Sequence, residues 1–96
     1  MERDEVLAIL REVKNKYAEQ YGILDIGVFG SVARDEARED SDIDICIKMA
    51  TPNPFAMIHV KEIIEELSHK QVDIVRVRER MNSFLRERID KEAYYV

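Results

Sequence analysis

Gly30-Ser31-Val32-Ala33-Arg34-Asp35-Glu36-Ala37-Arg38-Glu39-Asp40-Ser41-Asp42-Ile43-Asp44 is the stretch on which the reading of this chain turns. It follows Leu24 to Phe29, where Ile26 and Val28 alternate with Asp25 and Gly27, and it runs into a second alternation of Ile43, Ile45 and Ile47 with Asp42, Asp44, Cys46 and Lys48. Both alternations have the period of a strand with one apolar face. Between them the spacing predicts a tight turn at Gly30, a short helix over Ser31 to Arg38, and a solvated loop at Glu39-Asp40-Ser41. Strand, turn and helix place backbone N–H groups where phosphate can be held. Carboxylates two apart on a strand project from one face and can share a divalent cation.

Upstream, Val6, Ile9, Leu10, Val13 and Tyr17 recur at helical spacing, and Gly22 stands where a left-handed helix stop is expected. Downstream, Thr51-Pro52-Asn53-Pro54 breaks the second strand. Asn53 as N-cap and Pro54 at the first helical position begin a helix with Val60, Ile63, Ile64 and Leu67 as its inward stripe. A third strand over Gln71 to Val77 follows, then a helix capped by Asn82 or Ser83 and carrying Leu85 and Ile89. The tail Glu92-Ala93-Tyr94-Tyr95-Val96 reads as a short edge strand or docking strip. The expected fold is α+β, a small β-sheet with helices packed on one face in two layers.

With 96 residues, residues 1–96 are expected to form one domain. A chain of this size buries roughly 60 to 70% of its unfolded surface, enough for one modest core. The formal net charge of -5 repels polyanions, so nucleic acid is disfavoured as a partner. Cys46 is the only cysteine, which excludes an internal disulfide and a cysteine-based zinc site within the chain. The charged start Met1-Glu2-Arg3-Asp4-Glu5 has no signal-peptide character, and no apolar run is long enough to span a bilayer. A cytoplasmic location, with no membrane association, is the expectation. An exposed sheet edge and a tyrosine-bearing tail leave a homo-oligomer open.

The acids supply the chemistry. Asp42 and Asp44 share a strand face, and Asp73, inside the apolar run Val72 to Val77, joins them if the second and third strands pair. Three such carboxylates can hold two magnesium ions for nucleotidyl transfer, with Asp73 also placed to take the proton of an acceptor hydroxyl. Gly30 permits an unusual backbone conformation, Ser31 offers its hydroxyl and N–H to the phosphates of a nucleoside triphosphate, and Arg34 adds positive charge one turn along. Lys48, on the face of Asp42, is a further candidate for pyrophosphate or acceptor contact.

Plainer readings compete. Asp40-x-Asp42-x-Asp44 resembles the start of a calcium loop, but that loop needs Gly at its sixth position and Glu at its twelfth, where Ile45 and Thr51 stand. His59 and His69 lack metal-ligand spacing and read as structural or solvated. Cys46 reads as a packing residue. Arg76-Val77-Arg78-Glu79-Arg80 reads as a solvated edge.

Gly30-Ser31, ten residues, Asp42-x-Asp44 and a later Asp73 together resemble the minimal nucleotidyltransferases of the DNA polymerase beta superfamily. The resemblance extends from the leading helix through Val72-Asp73-Ile74-Val75 to Tyr94-Tyr95. It implies a polymerase beta palm-like fold, ATP as substrate, and catalytic and metal-binding roles for Asp42, Asp44 and Asp73. Triphosphate binding would fall to Gly30, Ser31 and Arg34. The stand-alone members resemble antitoxins that move AMP from ATP onto a tyrosine of a HEPN-domain ribonuclease toxin, which makes such a toxin the implied partner. One position departs from the family pattern: Gly commonly follows the motif arginine, whereas Asp35 follows Arg34 here, and Glu36, Glu39 and Asp40 make the loop acidic. Two other functions are compatible with the residues. One is nucleotidyl transfer to a small hydroxylated molecule such as an aminoglycoside, for which the chain shows no acceptor domain. The other is a non-catalytic module that masks a toxin by contact.

Overall fold

A computed structural model describes residues 1–96. The elements in order are α1 (Arg3–Tyr21), β1 (Ile23–Phe29), α2 (Gly30–Ala33), β2 (Ile43–Met49), α3 (Pro54–Ser68), β3 (Val72–Arg76), α4 (Ser83–Glu92) and β4 (Tyr94–Tyr95). The four strands form one mixed sheet in the order β3-β2-β1-β4. β1 runs antiparallel to β2 and β4, while β2 and β3 are parallel. A parallel pair cannot be joined by a hairpin, and α3 provides the crossover.

The punctuation works as its chemistry requires. Gly22 closes α1 in the left-handed conformation (φ 66°), its N–H donating to Ala18 O. The Asn53 side chain accepts from the Ala56 N–H to open α3, with Pro54 in the first turn. Asn82 caps α4 through the Leu85 N–H. The tail pairs with β1 as an edge strand, Val28 opposite Tyr94.

A core of 17 buried residues lies between the sheet and the pair α1 and α3, built from Val6, Leu10 and Val13, from Ile26 and Val28, from Ile43, Ile45 and Ile47, and from Val60 and Ile64. The α3 stripe is turned slightly from the expected one: Ala56, Val60, Ile64 and Ser68 face inward, and Leu67 is 44% exposed.

The α+β sheet with helices on one face accounts for α1 and α3. α4 extends it on the other face, where Ile89 packs on Phe29 and Cys46 to form a second cluster flanked by Val75, Val77, Met81 and Leu85. Period-two geometry explains this, because Phe29, Cys46 and Val75 project opposite to Val28, Ile45 and Ile74. The same face carries Asp44 and Asp73.

The helix expected over Ser31 to Arg38 stops after one turn. Asp35 takes a left-handed conformation (φ 57°), the Asp35 N–H donates to Val32 O at 3.1 Å and the Glu36 N–H to Ser31 O at 2.8 Å. This is a helix stop of the Schellman type, in which glycine is the residue of least strain. No helix is long and apolar enough to cross a membrane.

Candidate active site

Asp44 of β2 stands in register with Asp73 of β3 on one side and Phe29 of β1 on the other, so the three form a row across adjacent strands on one face of the sheet. Asp42 directly precedes the first residue of β2, and its charge reaches the Asp44 carboxyl. Asp44 is half-buried; Asp42 and Asp73 are exposed. Burial pushes the Asp44 carboxyl above its ordinary value, and the negative charges of Asp73 and Asp42 push it further, while Arg88 and Arg34 pull it down. The sequence therefore brings Asp44 and Asp73 together on one sheet face, with Asp42 at the same end of β2.

This donor set suits a hard divalent cation, since it consists of carboxylate oxygens whose mutual repulsion a cation relieves. Asp44 and Asp73 form the close pair. No group of three acids, histidines or cysteines is gathered tightly enough to form a finished metal cage.

The Gly-Ser turn adjoins this row. Gly30 has φ 73°, and a Cβ on it would overlap the Asp44 carboxylate. Glycine is therefore required twice over, for the backbone conformation and for the space. Ser31 is half-buried next to it. Arg34 points back toward the turn, but it already has partners: its Nη1 donates to Glu92 Oε1 at 2.5 Å and its Nε to Glu36 Oε2 at 3.1 Å. The hydrogen bonds to Glu36 and Glu92 raise the guanidinium above its ordinary value. Gly30 N–H donates to the other Glu92 oxygen at 3.2 Å.

α4 thus contributes two groups that sequence reasoning missed. Arg88 lies over the Phe29 ring at 5.7 Å, within electrostatic reach of Asp44, and Glu92 binds the turn. Their four-residue spacing marks one helix face. Which side of the sheet that face meets is a tertiary fact that Leu85 and Ile89 alone do not encode.

Lys48 does not join the site. It lies over the Tyr95 ring at 4.7 Å and pairs in register with Asp25. Four residues of extended strand separate it from Asp44 by about 13 Å. Cys46 is fully buried, and desolvation pushes its thiol up, which keeps it protonated and unreactive. His59 is engaged by Tyr21 through Nδ1, away from the acids, and His69 closes α3 in the left-handed conformation. Arg78 and Arg86 donate to main-chain carbonyls at the exit of β3, consistent with a solvated edge.

Residues 9–96 match the nucleotidyltransferase domain family. The chain belongs to that family. Among its relatives is the protein adenylyltransferase MntA of Thermococcus cleftensis, 35% identical over 94 residues that cover 97% of this chain and 94% of the relative. A solved structure of a "putative minimal nucleotidyltransferase" superimposes with a TM-score of 0.78 at 34% identity, covering 98% of this chain and 95% of the other. A tri-AMPylated HEPN toxin in complex with an MNT antitoxin, from Shewanella oneidensis, includes a chain of the same fold: TM-score 0.58 at 20% identity, over 90% of this nucleotidyltransferase and 70% of that chain.

Proposed function

We propose that this nucleotidyltransferase moves AMP from ATP onto a tyrosine of a HEPN-domain toxin and so acts as the antitoxin of a pair. The observation that carries the reading is the in-register Asp44 and Asp73 on adjacent parallel strands, with Asp42 two residues earlier and the Gly30-Ser31 turn against them. The names of its relatives and the adenylylated toxin complex of the same fold support the substrate and the partner.

In this reading Gly30, Ser31 and Arg34 bind the triphosphate, and Asp42, Asp44 and Asp73 would hold magnesium. Bound magnesium supplies neutralisation of phosphate charge and a template for in-line displacement. The residues of the chain do the rest. The turn orients the triphosphate so that its α-phosphorus faces the open end of the acidic row. The toxin tyrosine oxygen forms a bond to that phosphorus, the bond to the bridging oxygen breaks, and pyrophosphate departs. Asp73, the most exposed strand acid of the row, accepts the tyrosine proton.

One observation favours a non-catalytic masking module as the second reading: Arg34 is already engaged by two carboxylates. The test is transfer of label from α-labelled ATP to a co-encoded HEPN partner. Catalysis requires label on the partner and its loss with Asp44→Asn. A masking module would neutralise its partner equally well without ATP and carry no label across.

A further inference from the structure

Glu92 ends α4 and is the last residue before the turn into β4, yet its carboxylate reaches across to the Gly-Ser turn. One oxygen accepts the Gly30 N–H at 3.2 Å and the other accepts Arg34 Nη1 at 2.5 Å, while Arg88 Nε approaches to 3.9 Å. Its side chain is only 18% exposed. A carboxylate receiving a backbone N–H and a guanidinium beside a second guanidinium has the surroundings of a bound phosphate oxygen pair. Two of its partners, Gly30 and Arg34, belong to the set assigned to the triphosphate.

We propose that Glu92 is an internal competitor of the triphosphate: in the free protein its carboxylate occupies the anion-binding donors, and nucleotide enters by displacing it. The proposal rests on the nucleotidyltransferase reading of the turn. Displacement has a structural consequence, because Glu92 lies two residues before Tyr94, whose strand partner is Val28, and because Val96 N–H donates to Ile26 O at 3.1 Å. Releasing Glu92 removes a tether of this edge strand to the body. Nucleotide occupancy is thereby transmitted to β4. The competitor also sets a threshold, since an anion must bind the turn better than a tethered carboxylate does, which favours a triphosphate over inorganic phosphate.

The test is binding of ATP with magnesium to the full chain by calorimetry, for wild type, Glu92→Gln, Glu92→Asp and Ser31→Ala, with thermal melts to verify folding. Glu92→Gln keeps the shape but removes the charge, and it is expected to bind ATP about 5- to 20-fold more tightly, as removal of a competing state requires. A residue that merely braces Arg34 gives the opposite sign. Unchanged or weaker binding in a folded Glu92→Gln, with Ser31→Ala still impaired, overturns the proposal and leaves the turn as the phosphate site. If Ser31→Ala binds as wild type does, or no form binds ATP, the reading of the turn falls and the proposal with it. Amide exchange on the wild-type protein needs no variant: ATP is expected to speed exchange at Tyr94 and Tyr95, and slower exchange there overturns the displacement.

Discussion

Gly30 and Asp44 occupy neighbouring strand ends so closely that only hydrogen on the Gly30 Cα leaves the Asp44 carboxylate its place. The turn that reaches for phosphate and the acid that reaches for metal are thereby locked into one arrangement. Gly30→Ala must shift the carboxylate and hold φ 73° with a side chain present. The expected cost is about 1 to 3 kcal/mol in folding. Label transfer should fall at least about 100-fold, because a displacement near 1 Å at the reacting groups has that effect. Urea melts and transfer assays check the two effects separately, and a folded, fully active variant would contradict the geometry.

Asp44 and Asp73 repel each other across β2 and β3, and burial adds to the cost of charging Asp44. The Asp44 carboxyl is raised above its unfolded value of 3.8. A raised carboxyl favours the folded state while protonated, so its contribution is fully present below the unfolded value and is lost as pH rises through the folded one. The protein without metal should therefore lose stability over that rise. Asp44→Asn should melt about 2 to 4 °C higher than wild type at pH 7, a gain below about 1 kcal/mol given that half-exposure screens the charge. At pH 3.5 the difference should vanish. Differential scanning calorimetry in chelator at both pH values decides it.

The strand periods, the Gly22 and Asn53 signals and the two-residue spacing of the acids are local properties, and each was legible without coordinates. That Asp73 could stand beside Asp44 was legible only on the condition that β2 and β3 pair, and the parallel register of the two strands meets that condition. Two features were not legible because they are set by contacts distant in sequence: α4 crosses to the face of the acids, and Glu92 meets the turn 62 residues before it. Lys48 was misassigned for a local reason, since four residues of strand already carry it out of reach of Asp44. The shortened α2 lies between these cases: Asp35 disguises a helix stop that glycine would have announced.

Asp35 sits where the family pattern commonly has glycine, and its φ of 57° explains the preference for that residue. Asp tolerates the left-handed region better than most residues, and here it also pairs with Arg3 at 3.1 Å, an exposed contact of small worth. Asp35→Gly should hold or raise stability by up to about 1 kcal/mol, whereas Asp35→Val should lower it by about 1 to 2 kcal/mol. Equal stabilities of the two variants in chemical denaturation would show that the departure from the pattern is tolerated for some reason other than backbone conformation.

Magnesium should stabilise the folded chain through the repulsion that its acids now bear. A ligand that binds only the native state at about 100 times its dissociation constant adds about 2.7 kcal/mol. Weak millimolar binding at 10 mM magnesium is closer to tenfold excess and should raise the melting temperature by about 5 to 10 °C. The rise should be lost in Asp44→Asn, which removes the central acid, and reduced in Asp73→Asn and Asp42→Asn. Sodium at matched ionic strength should reproduce little of it, since screening acts on every surface charge while coordination needs these oxygens together. A rise of equal size in Asp44→Asn would place the cation elsewhere on this acidic surface and detach the carboxylate row from nucleotidyl transfer.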